Sequence, residues 1–485
     1  MSINFKRTFL CILMTIFHIV IVSAKDYNAS YFGIQAGATI LNTRSIQYGI
    51  NYISENGGGR LVFPAGKYLT GCIHIKSDVT LHLSKGAVLI GSANPFDYDR
   101  QNTPFDHNFQ TSLALILGLN QNNIGITGAG EIDGQGRELA AAIGEMIKKG
   151  LIKDRSVSRP DEDNRPMIIN FFGCKDITIK NITLKNAACW VECYNKCKNV
   201  IVDSIRVESR AFWNNDGIDI VDCTDFIVRN SYFDSSDDGI CLKSLDPDAA
   251  NQNILIENNN MTTDASGIKF GTASLGGFKN VRILNNRVFD TNRSAMALEA
   301  VDGALIENIE VNGLKGRNVG NAIFLRTGAR KGARKGKLQN VFIQNVDVEI
   351  RSEKNPLREM PGIVIGGMPD QMITNVKLKD IVIKSSGGAD KASAKISIDN
   401  LKDIPEKADS YPEYNMFGNL PSWGVFIRHA TNIQIQGLSI AIRKADFRTA
   451  IVLDDVHQSG FKKLNVKEPQ PKKKIFIANS SEIKI

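Results

Sequence analysis

The sequence predicts an all-β chain wound as one single-stranded, right-handed parallel β-helix, and three observations carry that expectation. Short strands recur with the apolar pattern Φ-x-Φ-x-x-Φ-x-Φ: Ile177, Ile179, Ile182, Leu184; Val200, Val202, Ile205, Val207; and Val341, Ile343, Val346, Val348. Degenerate copies begin at Phe226, Ile254, Val281 and Ala304, and clearer ones at Val376 and Ile433. Starts at 177, 200, 226, 254, 281 and 304 are 23, 26, 28, 27 and 23 residues apart. A period of that size marks a solenoid, and alternation within each unit makes the elements strands.

The second observation is the residue between the two strand halves: Asn181, Ser204, Asn230, Asn258, Asn285, Asn308, Asn345 and Asp380. Asn tolerates left-handed backbone angles and bonds along a stack of like turns. The third is a further strand per coil with the pattern x-[GA]-Φ-x-Φ. It reads Asp216-Gly-Ile-Asp-Ile, Asp238-Gly-Ile-Cys-Leu, Ser266-Gly-Ile-Lys-Phe, Ser294-Ala-Met-Ala-Leu and Asn321-Ala-Ile-Phe-Leu. Copies at Pro361 and Trp423 continue it. Leucine-rich repeats are the rival solenoid, but their consensus is absent.

Taken from the start, residues 1–24 read as a secretory signal. Lys6 and Arg7 precede an apolar run from Thr8 to Val22, and Val22-Ser23-Ala24 offers a cleavage site. A membrane anchor is the alternative, and the run is short for one. Residues 25–485 then form one β-helix domain, exported to the periplasm or beyond and without stable membrane insertion. Residues 43–55 suit an amphipathic helix stopped by Gly57-Gly58-Gly59, placed to cap the open N-terminal edge. Two insertions interrupt the repeat, at about 137–165 with a helix over Ala140–Ile152, and at about 384–422. Insertions in solenoids gather on one face, often the binding face.

Composition agrees with a large folded core: 42% of the 485 residues are hydrophobic and 23% charged. Length alone would suggest about three domains, but a solenoid grows by adding coils. The net charge is +8, from 59 Lys+Arg against 51 Asp+Glu. Losing Lys6 and Arg7 makes it +6, a surplus that suits an acidic partner and not nucleic acid. Eight cysteines become seven once Cys11 leaves, which argues against a fully paired framework. Cys189, Cys193 and Cys197 are spaced by four, but no histidine lies near and buried thiols explain them better than a metal site. Cys174, Cys197 and Cys223 share one register as a column at one corner.

That same register brings acids together. Asp216 and Asp238 occupy one slot a coil apart, at roughly the 4.7–4.9 Å spacing of adjacent strands. Asp237 adds a third carboxylate. Like charges this close raise at least one pKa, leaving a protonated acid beside ionised bases. Glycosidic cleavage needs that division of labour. Calcium binding and plain Asp-Gly turns are the other readings of the same residues. Outward positions on the third strands place Asp219 and Lys269 at one level, with Lys243, Glu299, Arg326 and Arg428 two residues further on.

The stretch from Trp213-Asn-Asn-Asp-Gly-Ile-Asp to Ser235-Ser-Asp-Asp-Gly-Ile-Cys-Leu-Lys resembles the polygalacturonases, glycoside hydrolase family 28, whose fold is of the pectin-lyase type. Asn214-Asn215-Asp216 and Asp237-Asp238 match its signatures, 21 residues separating Asp216 from Asp237. Gly128-Ala-Gly-Glu-Ile-Asp-Gly-Gln-Gly136 is similar to an early coil, and Tyr411–Pro421 to a loop of bacterial members. The resemblance implies single-displacement hydrolysis with inversion and no metal or cofactor. Asp237 would be the general acid, with Asp216 and Asp238 activating water. The family's Gly-His-Gly falls on Ala265-Ser266-Gly267, and its Arg-Ile-Lys on Ala295-Met296-Ala297. Lys269 is then the candidate replacement cation, supported by Arg293 and Arg326, with Lys243 and Glu299 completing the substrate-binding set. The expected substrate is an acidic pectic polysaccharide or oligosaccharide, of galacturonic acid or rhamnogalacturonan type, attacked by a monomer in exo fashion if the 384–422 insertion walls off the cleft. A calcium-dependent pectate lyase and a non-catalytic carbohydrate-binding β-helix are the alternatives.

Overall fold

In the strand Lys175–Lys180, Ile177 and Ile179 turn inward while Asp176, Thr178 and Lys180 face solvent, as the two-residue period requires. The computed structural model describes residues 25–99, 113–330, 332, 334–352, 360–390, 398–470 and 474–485, so the leader expected at 1–24 lies outside the described residues. Each coil stacks on the last in parallel: Ile177 faces Val200, Val200 faces Phe226, Phe226 faces Ile254 and Ile254 faces Val281. The described strands join one continuous sheet. A parallel β-helix results, its interior filled by Ile, Val, Leu and Phe removed from solvent. Among the described residues no helix is long and apolar enough to cross a membrane.

One coil is corrected. Val281 faces Ile309, so the copy read as starting at Ala304 starts five residues later. Ala304 and Ile306 are themselves buried, and the alternating pattern therefore fits either start. Asn308 consequently belongs to a different column, where its amide donates to Asn280 Oδ1 at 3.1 Å. Gly313, at φ +82°, fills the corner left open. The other predicted corner residues, Asn181, Ser204, Asn230, Asn258, Asn285, Asn345 and Asp380, all have φ between +53° and +60°.

The column containing Asn308 is a second asparagine ladder that sequence reading missed. It sits at the start of the same strands and runs from Asp225 through Asn253 and Asn280 to Asn308, then on through Asn340, Asn375 and Asn432. Each amide bonds the residue one coil earlier, at 2.7–3.5 Å. The predicted cysteine column is present as free, buried thiols. Cys197 donates to Phe171 O at 3.4 Å and Cys223 to Tyr194 O at 3.2 Å, one coil back in each case.

The N-terminal cap is α1 (Thr43–Glu55), which buries Ile46, Gly49, Ile50 and Ile53 against the first coils. Helix α2 spans Gly136–Lys148, four residues earlier at each end than the predicted Ala140–Ile152. Its start is fixed where Gly136 meets the next coil. A Cβ there would lie 2.1 Å from Ala187 O, so only glycine permits the approach. Its end is set by Gly150, at φ +70°.

Candidate active site

Three neighbouring strands, Ile218–Val221, Ile240–Ser244 and Ile268–Ser274, build the floor of the site. Ile218, Ile240 and Ile268 are in register and point inward, so the next residues, Asp219, Cys241 and Lys269, point outward as one row. Despite facing outward, Asp219 and Lys269 are buried; Lys243 pairs with the first, and Tyr411 of the second insertion meets the other. Asp216 and Asp238 lie just before the first two strands. One oxygen of each and the Cys241 sulfur fall within 4.8 Å of one another.

Backbone and amide contacts fix these acids. Buried Asn215 accepts from Ser209 Oγ at 2.9 Å and donates to Ala187 O at 3.0 Å and Cys189 O at 2.8 Å, which locks the turn preceding Asp216. Asp238 Oδ1 accepts from the Ser266 amide at 3.0 Å, and the Asp238 amide donates to Asp237 Oδ1 at 3.0 Å. Each base also has its own cation. Lys243 Nζ donates to Asp216 Oδ2 at 2.8 Å and also pairs with Asp219, its ammonium 4.3 Å from the centre of the Trp190 ring. Lys269 Nζ lies 3.2 Å from Asp238 Oδ2 and donates to the Tyr411 hydroxyl at 2.9 Å.

This environment separates the carboxyls. Burial, then the charges of Asp216 and Asp238, push Asp237 up to about 7 against the pull of Lys269 and Arg293. Burial also opposes ionisation of Asp238, but Lys269, Lys243, Arg293 and the Ser266 amide outweigh it and hold that carboxyl below its ordinary value. Asp216 is raised by burial and restrained by Lys243. At neutral pH a substantial fraction of molecules therefore carries a proton on Asp237 beside an ionised Asp238. That is the pairing of acid and base that glycosidic cleavage requires.

Residues 55–406 match the family model described as "Glycosyl hydrolases family 28". The chain belongs to this family. The chain is similar to the exo-poly-alpha-D-galacturonosidase of Dickeya chrysanthemi, 25% identical over 392 residues, which cover 70% of this chain and 64% of that protein. The match thus spans a little under two thirds of that relative's length. Solved folds of the same kind are the hyperthermoactive exopolygalacturonase of Thermotoga maritima and the family 28 exopolygalacturonase of Yersinia enterocolitica. The first gives a TM-score of 0.67 at 21% identity, covering 86% of this chain and 91% of that one. The second gives 0.68 at 17%, covering 95% and 78%.

Of the predicted site residues, Asp216, Asp237, Asp238, Lys243 and Lys269 line one cavity. Arg293 lines an adjoining hollow that shares Asp237 with this cavity, and is ion-paired with Glu413 at 2.7 Å. Glu299 is buried beside Lys269, with no hydrogen-bond partner for Oε2, and burial pushes it up to about 8. Arg326 is not brought to the cluster, which corrects its expected role. Its guanidinium is fully buried and donates to Gly366 O, Gly367 O and Glu406 O at 2.5–3.1 Å, against the Phe417 ring. Arg428 likewise donates to Ile404 O at 2.8 Å. Both cations anchor the second insertion instead of facing the cleft.

Sequence reading missed Glu162, Trp190, Arg330 and Tyr411 as cavity residues. Glu162 and Tyr411 arrive on the two insertions, where no coil register predicts position. The slot of the family's Arg-Ile-Lys is also explained. Ala297, Phe324, Val364, Phe426 and Val452 continue the outward row, and Ile404, Tyr414, Phe417 and Leu420 of the insertion pack over them.

Proposed function

We propose that the chain hydrolyses α-linked glycosidic bonds of pectic polysaccharide with inversion, removing sugar from the chain end. The observation that carries the reading is Asp237, pushed up to about 7, beside Asp238, held low by Lys269. Asp237 donates its proton to the glycosidic oxygen as the bond breaks. Asp216 and Asp238 hold a water on the opposite face, and its proton passes to one of them as its oxygen attacks the anomeric carbon. Lys243 and Lys269 keep these bases anionic until that moment.

Family membership and the exo-acting relatives support the substrate class. The lysines favour acid–base chemistry over a calcium site. The Lys243 ammonium already stands 2.8 Å from Asp216 and the Lys269 ammonium 3.2 Å from Asp238, where a calcium ion would need those oxygens. Export through the 1–24 leader, a single domain over 25–485 and a monomeric state belong to the same reading.

End-wise action follows from the second insertion. Its apolar residues seal the outward row immediately beyond Lys269, so the cleft has a closed end. The size distribution of products early in a digest tests this. Monosaccharide alone from the first per cent of conversion is the expected result. A ladder of intermediate oligomers would show that the chain is cut internally.

A further inference from the structure

Asp237 borders a second hollow as well as the main cavity. The main cavity contains all three aspartates, whereas the second contains Asp237 without Asp216 or Asp238. Water attacks from the side of the bases, and the departing oxygen meets the acid. The second hollow is therefore the side on which the leaving sugar sits.

Its most prominent wall is Trp213, an indole left 57% exposed. Such exposure is unusual for a tryptophan, and its surroundings hold the ring in place. The Arg159 guanidinium lies 4.6 Å from the ring centre and covers one face. Fully buried Arg165 donates to Trp213 O at 2.6 Å and Asn214 Oδ1 at 2.8 Å, which fixes the backbone that carries the ring. Both arginines come from the first insertion. A rigid aromatic with one face covered and the rest open is suited to stack on the apolar face of a sugar ring.

The charges of the hollow narrow the sugar. Arg210 pairs with Asp234 and, at 2.8 Å, with Asp264. Arg293 pairs with Glu413 at 2.7 Å. Both arginines that line the hollow are thus already engaged by carboxylates. A uronate here would have to compete with Asp234, Asp264 and Glu413 for those guanidinium groups, and Asp264 and Asp237 stand in the lining as further carboxyl groups.

We propose that Trp213 is the platform for the leaving sugar and that this subsite takes a sugar without a carboxylate, so that the bond cut joins a terminal residue to a neutral neighbour. The inference rests on the hydrolase reading and sharpens it. Bonds within a chain alternating uronate and neutral sugar fit the subsite, whereas those of homogalacturonan do not.

Three substrates test it: a rhamnogalacturonan oligosaccharide with a terminal galacturonate, a homogalacturonan oligosaccharide of equal length, and α-galacturonosyl fluoride, whose leaving group has no ring. The wild type should favour the first over the second in kcat/KM. Trp213→Ala should lower kcat/KM on the first by about tenfold, the equivalent of one good aromatic contact, and leave the fluoride unchanged. Trp213→Phe should recover most of the loss. Asp264→Asn, which frees Arg210 of one acid, should shift the preference several-fold toward homogalacturonan, by the loss of one like charge. An equal loss on oligosaccharide and fluoride would make Trp213 merely structural and overturn the platform. A wild-type preference for homogalacturonan would overturn the neutral subsite. If the wild type cleaves none of the three, the hydrolase reading itself fails and the inference falls with it.

Discussion

Asp237→Asn should lower kcat by about 10²–10⁴-fold, the range expected when a positioned general acid is removed. The substitution keeps the side-chain shape, and its amide oxygen can still accept from the Asp238 backbone N–H now bonded to Asp237 Oδ1 at 3.0 Å. KM should therefore change little, and circular dichroism should not change at all. The pH dependence gives a second signature. Asp237, with its carboxyl up at about 7, must be protonated to act, so wild-type kcat/KM should fall as pH rises through that value. The variant's residual rate should lack this fall. Stability moves the other way. A carboxyl whose pKa is raised on folding favours the fold while protonated, and that contribution is lost as pH rises from its unfolded value through about 7. Above pH 7 Asp237→Asn should accordingly be more stable than wild type, measured by denaturant midpoint, because a like-charge repulsion has been removed.

Lys269→Met is expected to cost both activity and stability. The lysine is 1% exposed, and its ammonium stands between Asp238 and the Tyr411 hydroxyl. Removing one partner of such a buried pair leaves a charge uncompensated and costs about 3–5 kcal/mol. Asp238 would then lose the strongest of the groups that oppose its burial, and its carboxyl would move upward even with Lys243, Arg293 and the Ser266 amide in place. The base would be protonated over more of the acid range, so kcat/KM should drop and its acidic limb shift to higher pH. In the wild type the lowered Asp238 stabilises the fold above its unfolded pKa, and that contribution disappears as pH falls through the folded value. The stability gap between variant and wild type should therefore be widest at neutral pH and shrink in acid. Unfolding curves at several pH values check this, and a gap independent of pH would dismiss the pairing as the source.

The coil register explains what was legible in the sequence. Strand residues obey a period of two, and the third strand's Gly or Ala at a fixed place set one alignment from Asp216 to Trp423. That alignment alone put Asp216 beside Asp238, and Lys243 and Lys269 in the same neighbourhood. It failed at Asn308, where alternation permits two starts and Gly313, not asparagine, takes the left-handed corner. It failed also for the fate of Arg326. Outward direction on a strand says nothing of what lies above, and here the second insertion turns the position into interior. Tyr411 meets Lys269 across 142 residues of chain. No periodicity reaches that far, which is why the upper walls of the cleft emerge only from the folded chain.

The most direct test of the account is the anomeric form of the sugar at the moment of release, followed by proton NMR during the first minutes of hydrolysis. Direct attack by a water held between Asp216 and Asp238, with Asp237 as acid, predicts that an α-linked substrate first yields the β-anomer, which then mutarotates. First appearance of the α-anomer would mean a covalent intermediate and retention, and would contradict the roles given to all three aspartates.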